Sequence, residues 1–250
     1  MKQLLIFIVL FLFFACKNEQ EKDTLSVNEI ISKSIEVAGG DKFENSIIRF
    51  NFRDKFYMAR REHGNFNLIR IFKSSNDSVF DLLTNNGFER VINDTRIKLE
   101  DSMVTKYMAS VNSVHYFSVL PYGLNNKAVN KKLLGEEEIR NKAYYKVEIT
   151  FNKAGGGEDY EDVFLYWINK ISFKVDYLAY SYNEDDGKGL RFRAAFNERY
   201  VNGLRFVDYK NYKETDQYFG LKNLGKAFSE GGLKMVSKIE LENVEVDIIE

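Results

Sequence analysis

From Ile47 onward the chain repeatedly alternates apolar and polar residues with a period of two. Ile48, Phe50 and Phe52 alternate with Arg49, Asn51 and Arg53. Successive side chains of a strand point to opposite faces, so this run predicts a half-buried strand. Further runs fall at 55–61, 66–73, 78–84 and 87–93, separated by turn chemistry at His63-Gly64-Asn65, 74–77 and Asn85-Asn86-Gly87. Later, Tyr145, Val147, Ile149 and Phe151 alternate with Tyr144, Lys146, Glu148 and Thr150. Strands are also expected at 162–169, 173–182, 189–199, 204–213 and 234–248, with turns at 154–157, 184–189 and Asn202-Gly203. Strands joined by turns this short pair antiparallel, because a parallel pair needs a crossover of a dozen or more residues. Composition agrees: 21 Phe and 15 Tyr stand against a single Pro, and aromatic residues suit a pleated surface. So large an aromatic load exceeds what one thin core takes up. It implies an apolar cavity or a β-rich double layer.

Two segments break the period. Ser26-Val27-Asn28-Glu29 matches a capping box, Ile31, Ile35 and Ala38 mark one helical face, and Gly39-Gly40 ends it. Asp101 has the character of a second cap. Val104, Tyr107, Met108, Val111, His115 and Ser118 then form a helical stripe that Pro121 stops, followed by a linker at 122–135. No linker marks a domain boundary, so residues 27–250 are expected to form one domain. Helix, long meander, helix, long meander predicts a mainly β (α+β) fold: a curved antiparallel sheet forming an incomplete barrel, capped by two or three helices.

The N-terminus sets the expected address. Lys2 precedes an unbroken apolar run at 4–14, shorter than the roughly 20 residues a membrane span needs but right for the core of a secretory signal. Ala15 is the small residue before the cut, and Cys16, the only cysteine, becomes the new first residue. The stretch resembles a lipobox, with Leu12 one position further upstream than usual and Phe13 where Leu is common. This implies a signal peptide at 1–15 and a lipidated Cys16 with a polar tether at 16–26. The bilayer is then a partner through acyl chains, each buried methylene contributing about 0.8 kcal/mol. The alternative is an ordinary signal peptide with an incidental cysteine. Lys17 at the second position and the acidic pair Glu19 and Glu21 are similar to lipoproteins sent to the outer membrane, on its periplasmic face or at the cell surface.

The strand–helix order and the opening VNEIISKSIEVAGG resemble the superfamily of periplasmic lipoprotein carriers and lipid-binding lipoproteins. That resemblance implies a half-barrel enclosing a cavity for acyl chains. The stretches VNSVHYFSVLPYGLN, KKLLGEEEIRNKAYYKVEITFNKAGGGEDYEDVFLYWINK, DYLAYSY and RFRAAFNERYVNGLRFVDYKNYK are similar to a flavobacterial (Bacteroidota) lipoprotein family. An aldolase activity sometimes attached to that family implies a (β/α)₈ barrel with a Schiff-base lysine. The strand pattern here is incompatible with it.

Charge and chemistry narrow the function further. A net charge of −1 provides no basic field for nucleic acid. With two histidines, His63 and His115, and the one cysteine acylated, a Cys/His nucleophile is excluded and a multi-His metal site nearly so. No G-x-S-x-G, Walker A or G-x-G-x-x-G motif occurs, and no cofactor is implied. Residues 155–162 and 183–189 are acidic and glycine-containing, but their spacing is that of solvated hairpin tips, not of a calcium loop. His115 on the apolar stripe either meets a ligand head group or is a hydrogen-bonded core residue. Arg191 and Arg193 share a strand face, turned either to a cavity, where they would clamp an anion, or to solvent. Trp167, Tyr177 and Phe192 are either lining for an apolar pocket or sheet packing. The expected ligand-binding set is therefore His115, Trp167, Tyr177, Phe192 and Arg193. The expected function is non-catalytic binding of a hydrophobic small molecule, lipid or acylated protein. A structural lipoprotein docking another envelope protein or glycan is the alternative, and a carboxylate-based hydrolase a distant third.

Overall fold

A computed structural model describes residues 25–154, 161–184, 187–215 and 217–249. The signal segment, Cys16 and nearly all of the tether lie outside the described residues, as do most of the 155–162 stretch and the centre of 183–189. The capping box is present. Ser26 Oγ accepts from the Glu29 amide at 3.3 Å and the Ser26 amide donates to Glu29 Oε2 at 2.7 Å, opening α1 (Val27–Ala38). The helix stops at Gly39, whose φ is 136°. A Cβ there would lie 2.5 Å from Leu204 Cδ2 and 2.9 Å from the Gly203 carbonyl oxygen, so only glycine lets the helix end sit against the turn at Gly203-Leu204.

Fourteen strands are described. The first meander is β1 (Ser46–Phe52), β2 (Lys55–Glu62), β3 (Asn65–Ser74), β4 (Asp77–Thr84), β5 (Gly87–Ile92) and β6 (Thr95–Arg96). After α2 (Asp101–Ser118) come β7 (Val129–Ile139), β8 (Lys142–Phe151), β9 (Phe164–Asn169), β10 (Val175–Glu184), β11 (Gly187–Val201) and β12 (Leu204–Glu214). A short helix, α3 (Leu224–Ser229), precedes β13 (Leu233–Ile239) and β14 (Glu242–Ile248). They make two seven-stranded antiparallel sheets, ordered β14-β1-β2-β3-β4-β5-β6 and β13-β12-β11-β10-β9-β8-β7. The result is the curved, incomplete barrel with helices that the alternation predicts.

Two expectations change in detail. Part of the 122–135 linker is strand: β7 is the outer edge of the second sheet, charged, with Gly135 (φ 112°) at a register shift. An edge strand exposes both its faces and its charges guard it against pairing with other chains, so it shows no alternation. The expected strand at 234–248 is two strands. β13 ends the second sheet and β14 pairs with β1 in the first, so the chain changes sheets at Glu240-Leu241 and forms a seam. Leu241 and Val246 are buried there with Phe43, Phe50, Leu204 and Phe206.

Both faces of the second sheet are covered. Ile149, Tyr166, Ile168 and Leu178 face inward, packed with Ile30 and Ile31 of α1. Leu165, Trp167, Ala179 and Phe192 face outward beneath Leu224 and Phe228 of α3. The inner face of the first sheet carries α2, with Val111 against Ala59, Leu68 and Leu83.

Candidate functional site

A cavity of about 510 Å³ lies between α2 and the inner face of the second sheet, beside the seam. Val114, Phe117 and Ser118 of α2 and Phe52 of β1 form one side. Phe164, Tyr180, Arg193, Val207, Tyr209 and Asn211 form the other, closed by Ser237, Ile239 and Leu241; Arg53, Ser113, Asp162 and Tyr182 complete the lining. Aromatic rings dominate. Phe117 contacts Tyr116, Phe164 and Tyr180 at ring separations of 5.4, 6.2 and 5.5 Å, and the buried Tyr116 and Tyr166 hydroxyls share a hydrogen bond of 2.9 Å. Burial raises both phenols above their ordinary range, so this pair behind the cavity stays protonated.

One cross-strand row, Leu178–Arg193–Asn211–Ser237, changes from apolar to polar as it runs toward the seam. Arg193 is 9% exposed. Its Nη2 donates to the Tyr180 hydroxyl at 2.7 Å and its guanidinium lies 4.0 Å over the Phe117 ring. Among the described residues, its Nε has no hydrogen-bond partner, and neither has Asn211 Oδ1. Asn211 Nδ2 donates to Ser237 Oγ at 3.3 Å.

Of the five residues expected at the site, the structure puts Arg193 in the cavity wall. His115 is 1% exposed and packs on the first sheet, edge-on to Phe50 and Tyr57. Its Nε2–H donates to the Ile69 carbonyl at 3.0 Å, and its Nδ1 is unpartnered among the described residues. Burial, reinforced by the positive charge of Arg61, pushes its pKa down to about 3. It is therefore a neutral core residue, of the hydrogen-bonded kind that its place on the apolar stripe allowed.

Trp167, Tyr177 and Phe192 lie on the opposite face of the second sheet from the cavity. Phe192 meets Trp167 at 5.5 Å, Tyr177 at 5.6 Å and Phe228 of α3 at 4.7 Å. The reason is elementary: Phe192 and Arg193 are consecutive in a strand, so only one of them points inward. Gly225 of α3 lets the helix press onto this cluster, since a Cβ there would stand 2.9 Å from Trp167 Cζ2 and 2.5 Å from Glu137 Oε1.

Sequence reasoning passed over Phe117, Tyr180 and Asn211. Their signal was present in part, because Asn211, Tyr209 and Val207 alternate on one face of β12. Among the described residues, no group of three or more His, Cys, Asp and Glu side chains is placed to hold a metal ion, and no helix is long and apolar enough to cross a membrane.

The family of unknown function DUF6503 matches residues 2–241. The chain belongs to that family. No curated protein matches it. Among solved structures it is similar to a LolA superfamily protein from Nitrosomonas europaea, with a TM-score of 0.51 and 14% identity over 91% of this chain and 96% of that one. It also matches a DUF1329 family protein from Desulfovibrio piger (TM-score 0.46, 11% identity, 90% and 94% covered). A third match is a putative outer membrane lipoprotein-sorting protein domain from Vibrio parahaemolyticus (0.42, 10%, 87% and 93%). The fold is therefore of the LolA type, as the sequence resemblance implied.

Proposed function

We propose that this protein is a non-catalytic lipoprotein that holds a hydrophobic or amphiphilic ligand, a lipid or the acyl part of an acylated protein, in the cavity beneath α2. The observation that carries this reading is the cavity itself: about 510 Å³, walled by aromatic and aliphatic side chains, with a buried cation at one point of its wall. Ligand sites of this size are mostly apolar with a few placed polar groups. Acylated Cys16 anchors the protein to the outer membrane, and the tether at 16–26 lets the domain range over the surface.

The test uses the full chain carrying Cys16→Ser, recovered from the membrane-free fraction. Bound material is extracted and identified by mass spectrometry. Co-purified or titratable lipid is the expected result; a protein that purifies empty and takes up no apolar probe overturns the reading. The anchor is tested by labelling cells with a palmitate analogue: the native chain takes up label and sediments with the outer membrane, whereas Cys16→Ser does neither.

A second reading has an observation of its own. On the outer face of the first sheet, Phe56, Met58, Ile69, Ile71, Phe80, Leu82 and Val91 adjoin across four strands. α2, the helix packed on that sheet, lies on its other face. A contiguous apolar face of this kind suits an envelope partner protein. Replacing Ile71 and Phe80 with Ser abolishes partner capture if that reading holds and leaves lipid uptake intact.

A further inference from the structure

The cavity has a closed end and an open one, and the strands around it agree on which is which. On β12, Val207 and Tyr209 are buried and Asn211 is half-buried. On β1, Phe50 is buried, Phe52 half-buried and Arg53 exposed. Phe164 is buried and Asp162 half-buried before it; from Leu241 back to Ser237, burial falls in the same way. The floor therefore lies at Val207, Tyr209, Ser118 and Leu241, and the mouth at Arg53, Asp162 and Tyr182. Behind the floor the core is filled: Tyr166, Ile168, Val175 and Leu178 pack with Ile30 and Ile31 of α1, and a close-packed interior yields little. The α2 side is held as well. Ser110 Oγ accepts from Arg70 Nη1 at 2.8 Å, and His115 Nε2–H donates to the Ile69 carbonyl at 3.0 Å, so two hydrogen bonds fix the helix to the first sheet.

Resting on the cavity reading above, we infer that the site takes one acyl chain at a time, of palmitoyl to stearoyl length, so that its ligand is a single-chain lipid. The argument is one of room. A methylene packed in hydrocarbon fills about the volume of a water molecule in the liquid, about 30 Å³. A cavity of about 510 Å³ thus holds about 17 methylenes. A second chain of the same length needs as much again, and neither the filled core behind the floor nor the tethered helix gives it. A diacylglycerol-modified cysteine, with two chains, exceeds this volume; a monoacyl lipid fits it, tail on the floor and head at the mouth.

The experiment measures displacement of a fluorescent apolar probe from the full chain carrying Cys16→Ser. The competitors are monoacylglycerols in a series from decanoyl to docosanoyl, and dipalmitoylglycerol. Affinity should rise by up to about fourfold per methylene, level off between palmitoyl and stearoyl, and be no higher for dipalmitoylglycerol than for monopalmitoylglycerol. Native mass spectrometry should find one monoacylglycerol per chain. Val207→Ala should move the levelling-off point up by about two carbons and Val207→Phe down by about two, the room that each side chain gives back or takes, with probe binding showing that each variant is folded. The series on the unsubstituted wall decides the matter by itself if neither variant folds. A rise that continues to docosanoyl, tighter binding of the two-chain lipid, two monoacylglycerols per chain, or folded Val207 variants with an unmoved limit each overturn the inference while leaving the cavity reading intact. If the probe itself never binds, the cavity reading falls with it.

Discussion

Two buried arginine sites, one in each sheet, are built in opposite ways. On the inner face of the first, Arg70 and Arg90 close on one carboxylate. Asp81 Oδ2 accepts from Arg70 Nε and Nη2 at 2.9 and 2.6 Å, and its Oδ1 accepts from Arg90 Nε at 2.6 Å. Asp81 itself is fully buried. Arg70 Nη1 reaches Ser110 of α2 at 2.8 Å, and the Arg90 guanidinium lies 3.5 Å over Tyr107. These cations hold α2 to the sheet. On the inner face of the second sheet, Arg193 lines the cavity, held by the Tyr180 hydroxyl at 2.7 Å, and its Nε has no hydrogen-bond partner among the described residues. A buried arginine that is answered within the fold is architecture; under the proposed function, the one at the cavity is the candidate for recognition.

That contrast can be broken experimentally, and the largest effect is expected at Asp81. Asp81→Ala leaves two buried guanidiniums uncompensated and should lower unfolding free energy by about 3–5 kcal/mol in denaturant titrations, without altering lipid uptake by whatever remains folded. Next comes His115. In the folded chain it stays neutral down to about pH 3, whereas the unfolded chain takes up the proton near pH 6.5. The stability it contributes is therefore complete above about pH 6.5 and is lost as pH falls toward 3, at about 1.4 kcal/mol per pH unit. His115→Gln keeps a donor for the Ile69 carbonyl, and should flatten that part of the acid limb in thermal melts across pH; an unchanged limb would place His115 in water.

Gly225→Ala overfills the contact of α3 with Trp167 and Ile139, and a loss of about 1–3 kcal/mol is expected. The change lies across the sheet from the cavity, so lipid uptake should survive it. Arg193→Met is the smallest in stability, within about 1 kcal/mol of the native chain because no folded partner is orphaned except the Tyr180 hydroxyl. It is also the one variant of the four expected to alter ligand choice. Should Arg193→Met behave like Asp81→Ala, the distinction between the two kinds of arginine fails.

How much of this was legible in the sequence depended on exposure. Strands with one wet face, such as β1 and β2, announced themselves by alternation, and the capping box at Ser26 and Glu29 was read correctly from four residues. Strands covered on both faces lose that signal. All six residues of β9, FLYWIN, are buried, so nothing in the sequence says that Phe164 and Tyr166 face the cavity side while Trp167 faces α3. For that reason the aromatic residues singled out fell on the outer cluster. Arg193 was legible as one of two options, its partner Asn211 was not, and the crossing at Glu240-Leu241 carries no Gly, Pro or Asn to mark it.

That crossing governs when the domain can be finished. Arg49 of β1 and Asp247 of β14, which pair within the first sheet, are 198 positions apart, whereas β2 to β5 pair only with the strands next to them in the chain. Hairpins of the first meander close early, at little entropic cost, but their sheet stays one strand short until the last segment of the chain arrives; such long-range pairing is slow. Until then the edge of β1 is unpaired and open to β-addition by another chain. The C-terminal strand thus acts as a clasp, so a chain cut before Glu242 should accumulate as an aggregate even with every cavity residue intact.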